Sequence, residues 1–87
     1  MKDVKLFMFE GCPHCRRAQE LMAEILKENP GYARVPLAVI DERVHPDIAE
    51  KFDYYYVPTF FVGGEKLMEG VPSREAIEKV FARAVEG

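Results

Sequence analysis

Eighty-seven residues, 48% hydrophobic and 31% charged with a formal net charge of −3, hold material for one small core. The balance is that of an ordinary globular chain, and the longest cluster of cations is Arg16-Arg17, too little to grip a phosphate backbone. No apolar run approaches the ~18 residues of a membrane span, so neither nucleic acid nor membrane is expected as a partner.

Val4 to Phe9 is apolar at nearly every position, which predicts a central parallel strand covered on both faces. Ala18, Leu21, Met22, Ile25 and Leu26 then form one helical stripe, and Asn29-Pro30-Gly31 ends it. Val35 to Ile40 reads as a second buried strand, closed by Asp41-Glu42. His45-Pro46-Asp47 opens a short helix that turns Ile48, Ala49 and Phe52 inward. Thr59 to Val62 and Lys66 to Met68 flank Gly63-Gly64, a pair suited to a tight hairpin. Ser73 can cap a last helix showing Ala76, Ile77, Val80, Phe81 and Ala84 to the core. The order is βαβαββα, an α/β fold in a single domain over residues 1–87, with no internal repeat and no linker.

The only two cysteines, Cys12 and Cys15, fall after the first strand and at the start of the first helix. A helix N-terminus presents unpaired N–H groups and the positive end of the macrodipole, and both favour a thiolate over a thiol. An ordinary cysteine, titrating near about 8.5, is only about 3% thiolate at neutral pH. Lowering such a value by two units takes roughly 2.7 kcal/mol, within reach of helix-end hydrogen bonds and charge. Cys12 at the cap would be the exposed nucleophile, and Cys15, one turn inside, the shielded sulfur that attacks a mixed disulfide from behind. Pro13 suits the first helical position, and an imidazole at His14 would further favour an anion on Cys12. Two cations in a first helical turn work against the macrodipole. Arg16 and Arg17 either raise the potential around the thiolate or attract an acidic substrate, or, as the favoured reading, each pairs with Glu20 on a solvated face.

Other readings of the pair stand beside this one. A zinc site needs four ligands; beyond the cysteines only His14 and His45 are of the usual type, and His14 lies inside the loop the sulfurs would close. A structural disulfide closing so short a loop would constrain the unfolded chain little. A redox pair is the strongest reading, conditional on the strand and helix assignments. The alternative of another class is a binding module in which the cysteines hold a metal, across a dimer, with no turnover.

The motif "CPHC" after the first strand, "AVIDERVHPDIAEKFDYYYVPTFFVGG" through the middle and "EGVPSREAIEKVF" at the end resemble the thioredoxin and glutaredoxin superfamily over nearly the whole chain. The resemblance implies a thioredoxin fold, a mixed four-stranded sheet flanked by three helices, and dithiol-disulfide exchange. It implies Cys12 as attacking and Cys15 as resolving cysteine, with Pro13 and His14 supporting them. Pro58 is implied as a cis-proline facing the sulfurs and keeping metal from them, and Val57, Thr59 and Gly70 as positions that meet the substrate chain. "CPHC" is similar to the active site of periplasmic disulfide-forming enzymes, but their inserted helical domain is missing. The short length resembles glutaredoxin, yet "LMEGVPSREA" lacks the Gly-Gly and Ser/Thr-Asp grip on glutathione, and Gly11 stands where thioredoxin has tryptophan.

Tyr54-Tyr55-Tyr56 leads into Val57-Pro58, and the favoured expectation is that alternate tyrosines pack inward, with a hydrophobic lip for substrates as the other reading. Glu10 is a solvated strand end or, alternatively, a proton acceptor for Cys15. His45 is a helix-start residue without chemistry. Together these readings predict a monomeric thiol-disulfide oxidoreductase with no cofactor beyond a redox-active Cys12–Cys15 disulfide. It would act on disulfide-bearing proteins and draw electrons from a thioredoxin reductase or from glutathione. Met1 to Val4 lacks the layout of a signal peptide, so a cytoplasmic location is expected.

Overall fold

The computed structural model describes residues 1–87. Its elements are β1 (Val4–Met8), α1 (Pro13–Glu28), a 3-10 turn (Tyr32–Arg34), β2 (Leu37–Asp41), α2 (Pro46–Ala49), β3 (Thr59–Val62), β4 (Glu65–Glu69) and α3 (Arg74–Glu86). The four strands form one mixed sheet in the order β2-β1-β3-β4. β1 runs parallel to β2, with Met8 opposite Asp41, and antiparallel to β3, with Phe7 opposite Thr59. β3 and β4 pair as the hairpin expected around Gly63 and Gly64, whose φ of +55° and +90° lie where only glycine is unstrained.

The apolar stripes account for the packing. Ala18, Leu21, Met22 and Ile25 of α1 meet Ile77, Val80, Phe81 and Ala84 of α3 over Val4, Leu6, Phe60 and Val62 of the sheet. Ser73 caps α3, its hydroxyl accepting from the Ala76 amide at 3.1 Å. Arg74, one residue on, reaches Glu24 and Glu28 of α1 and so ties the two helices at their surface. On the other face Phe7, Ile40 and Phe61 pack with Ile48, Ala49, Phe52 and Tyr54. Phe7 is the hub there, its ring centroid 4.9 Å from Phe52, 5.0 Å from Tyr54 and 5.7 Å from Phe61.

The second strand departs from its expected burial. β2 spans Leu37–Asp41 rather than Val35 to Ile40, and it is the edge of the sheet. Only Ile40 is buried; Leu37 is 37% and Val39 46% exposed. The reason is coverage: α3 lies over β1, β3 and β4, and the side chains of β2 on that face are left beside it. No helix is long and apolar enough to cross a membrane.

Candidate active site

All the residues singled out by the sequence sit at one end of the sheet, because strand register brings their loops together. Phe7 pairs with Thr59 and Thr59 with Glu69, so the turn after β1, the segment before β3 and the segment after β4 emerge side by side. Gly11, at φ +91°, lets the chain reverse from β1 into α1 in very few residues.

Cys12 is the N-cap of α1, in extended conformation, with Pro13 at the first helical position. Its Sγ accepts a hydrogen bond from the Cys15 amide at 3.2 Å, the bond an N-cap oxygen would otherwise make. The two cysteines are free thiols. Cys12 is 8% and Cys15 1% exposed, so the expected order of shielding is present, but Cys12 is a nearly buried sulfur rather than an exposed one. Burial pushes the Cys15 thiol well above its ordinary pKa, and the sulfur of Cys12 and the negative charge of Glu42 add to the shift.

A cleft of about 630 Å³ opens on the pair, lined by Met8, Phe9, Gly11, Cys12, Cys15 and Arg16 among others. Arg16 has no carboxylate within ion-pair distance, whereas Arg17 pairs with Glu20 at 3.5 Å. The pairing with Glu20 is thus made by Arg17 and not by Arg16, which lines the cleft. Pro13 and His14 are exposed beside Cys12. His45 is exposed at the start of α2, and no three His, Cys, Asp or Glu side chains gather into a group that could hold a metal ion.

Pro58 is buried and follows a cis peptide bond from Val57; its carbonyl accepts from the Gly70 amide at 3.0 Å. Val57 and Gly70 are both half-buried, Gly70 lying against Pro58 through that bond. Thr59 departs from its expected role. It is fully buried, its hydroxyl donating to the Tyr56 carbonyl, so its side chain faces the protein and not a substrate.

The three tyrosines part company. Tyr54 packs inward against Phe7, but Tyr55 is 85% and Tyr56 69% exposed, so the expectation that alternate rings pack in the core holds for one ring only. Glu69 explains why. Its carboxylate accepts from the Tyr55 amide, from the Tyr56 amide at 2.9 Å and from Lys66 at 2.8 Å, which holds the backbone against β4 and leaves both rings outside. Lys66 and the two amides lower the Glu69 pKa to about 2.

Three acidic residues matter here that sequence reasoning had not picked out. Asp41 accepts from the Arg43 amide at 2.9 Å and from the Glu10 amide at 3.1 Å, clasping the turn that precedes Cys12; these bonds lower its pKa. Glu42 accepts from the Tyr54 hydroxyl at 2.7 Å, and burial with this carboxylate raises the Tyr54 pKa. Glu69 is the third. The only signal in the chain was "DE" closing a strand, which says nothing of its partners. Glu10 itself is exposed.

A protein-family model described as a thioredoxin domain matches residues 2–82. The thioredoxin of Methanocaldococcus jannaschii is 30% identical over 79 residues, which cover 88% of this chain and 91% of that one. Human glutaredoxin-3 is 32% identical over 79 residues, 86% of this chain but only 23% of that protein. Among solved structures, oxidised mitochondrial thioredoxin 3 of Saccharomyces cerevisiae aligns with a TM-score of 0.74 at 25% identity, over 94% of this chain and 77% of its own. With a family model spanning nearly the whole chain and a CPHC pair seated at the head of α1, this protein belongs to the thioredoxin family of thiol-disulfide oxidoreductases.

Proposed function

We propose that the protein catalyses dithiol-disulfide exchange on disulfide-bearing proteins through Cys12 and Cys15, with no redox group other than that pair. The observation that carries the reading is the hydrogen bond from the Cys15 amide to the Cys12 sulfur at a helix N-terminus, which stabilises negative charge on that sulfur. In the first step Cys12 thiolate attacks one sulfur of the substrate disulfide, forming a mixed disulfide and expelling the other sulfur as thiolate. Cys15 then loses its proton and attacks Cys12, which releases the second substrate thiol and leaves a Cys12–Cys15 disulfide. The reading takes Pro58, which follows a cis peptide bond, to face the sulfurs and the Val57 backbone to meet the substrate chain. His14, exposed next to Cys12, favours the thiolate and so makes the couple more oxidising.

Two electrons from a reductant then restore the dithiol. The likeness to a thioredoxin and to a glutaredoxin leaves two donor classes, a thioredoxin reductase and glutathione. The reducing role proposed suits a cytoplasmic location. Both halves are tested by reducing a protein disulfide such as insulin with each donor in turn, using wild type and Cys12→Ser. Turnover with one donor and none in Cys12→Ser supports the reading. Equal rates for the two proteins, or a metal ion retained by the cysteines through mild purification, would sink it.

A further inference from the structure

β2 is bonded to a neighbour on one side only, so its other side carries a row of unpartnered main-chain groups. Which groups these are follows from the parallel ladder. The Pro36 carbonyl accepts from the Val4 amide and the Glu42 amide donates to the Met8 carbonyl, both at 2.8 Å, so the even-numbered residues of this segment turn their main chain to β1. Leu37, Val39 and Asp41 turn theirs outward. The Asp41 carbonyl is already taken, by the Val44 and His45 amides at 3.1 and 2.9 Å, and at the other end the Val35 amide donates to the Tyr32 carbonyl. The open edge is therefore centred on the N–H and C=O groups of Leu37 and Val39. Their side chains lie on the α1 face, since Leu37 is opposite Val4 and Val39 opposite Leu6 of the main core. The usual guards of an edge are not in place: no cation lies in β2, and Pro36 lacks its N–H on the side of β1 rather than on the open side.

We infer that this edge pairs with the same edge of a second copy of the chain, antiparallel about a two-fold axis through Ala38, joining two sheets into one of eight strands. Self-complementarity carries the inference. In this register Leu37 stands opposite Val39 of the second copy, and Val39 opposite its Leu37. Each pair exchanges two N–H···O=C bonds, so every open N–H and C=O of these residues in both copies finds a partner. Sliding one strand by two residues either way sets Leu37 against Asp41 or Val39 against Val35, where the Asp41 carbonyl and the Val35 amide are engaged. On the α1 face the Leu37 and Val39 side chains meet across the seam and cover apolar surface that is 37% and 46% exposed in one copy. The axis also brings Arg34 toward Glu42 of the second copy, and neither takes part in an ion pair within its own chain. Because the paired strands run oppositely, the two Cys12/Cys15 pairs lie at opposite ends of the joined sheet, both open to substrate and too far apart to share a metal. The seam is short and falls at the small end of protein interfaces, below about 1,200 Å², so the dimer is weak and forms as concentration rises. Such a dimer departs from the monomer expected from sequence.

The test is sedimentation velocity together with amide hydrogen exchange on the reduced protein, from about 5 μM to about 1 mM. The sedimentation coefficient is expected to rise with concentration. Over the same range the Leu37 and Val39 amides exchange more slowly, while those of Ala38 and Ile40, already held by β1, change little. Val39→Lys alters a half-exposed edge position, keeps its fold by circular dichroism, and weakens association by roughly tenfold, the scale of losing two apolar cross-strand pairs. A coefficient that stays at the monomer value up to the highest concentration overturns the inference and leaves the edge to a strand from another protein. A dimer that forms equally well in Val39→Lys, or without slowing the Leu37 and Val39 amides, overturns it too. So does one that disappears in Cys12→Ser or on adding a chelator, since it is then built on the cysteines.

Discussion

Cys12 is assigned two jobs, capping α1 and attacking disulfides, and a pair of substitutions takes them apart. Cys12→Ala and Cys12→Ser both remove the sulfur and its contacts, so the difference between them isolates the hydrogen bond from the Cys15 amide, 3.2 Å long in the wild type. An N-cap serine accepts that bond and an alanine cannot, a difference of typically ~1 kcal/mol. In a domain of 87 residues that corresponds to about 4–8 °C in melting temperature. Thermal unfolding followed by circular dichroism should therefore place Cys12→Ser above Cys12→Ala by that margin, while insulin reduction is lost in both. Equal melting temperatures would remove the sulfur from the cap. Turnover persisting in Cys12→Ser would remove it from the chemistry.

Three further outcomes follow from the site. Replacing His14 with glycine should make the couple more reducing against a glutathione buffer, about 30 mV for each 1.4 kcal/mol of thiolate stabilisation lost; an unchanged potential excludes the imidazole. Glu69 has a folded pKa of about 2, below its ordinary value of 4.5, so its contribution to stability is complete above pH 4.5 and is lost as pH falls toward 2. Urea midpoints across that window should fall with acid in the wild type and fall less in Glu69→Gln; parallel curves would refute the clamp. Arg16 lines the cleft without an ion-pair partner, so Arg16→Glu should slow exchange with an anionic disulfide relative to a cationic one, an effect compressed by salt. A ratio unmoved by the substitution would refute that role.

The elements legible in the chain are those whose signal is local. The α1 stripe from Ala18 to Ile25 repeats at helical spacing, Pro13 and Ser73 mark helix starts, and Gly63-Gly64 marks a hairpin, so each stands where its own neighbours put it. The N-cap seat of Cys12 is legible for the same reason. What failed depends on partners distant in sequence. Leu37, Ala38 and Val39 look like a buried strand because they are apolar, yet burial depends on which helix lies above, and α3 stops short of β2. Three identical tyrosines carry no period, and their sorting is done by Glu69 and Glu42, which approach only once Thr59 is opposite Glu69 and Met8 opposite Asp41. Glu10, by contrast, is exposed at the end of β1, as its favoured reading has it.

The central claim is that Cys12 and Cys15 interconvert reversibly between dithiol and disulfide. Equilibrating the protein in glutathione buffers of graded potential, quenching with acid and counting alkylated thiols by mass spectrometry tests it most directly. A single two-electron transition, a tenfold change in oxidised-to-reduced ratio per ~30 mV and absent from Cys12→Ser, is the predicted result. Thiols that stay unpaired across the whole range, or that exchange only one at a time with glutathione and never with each other, would contradict it.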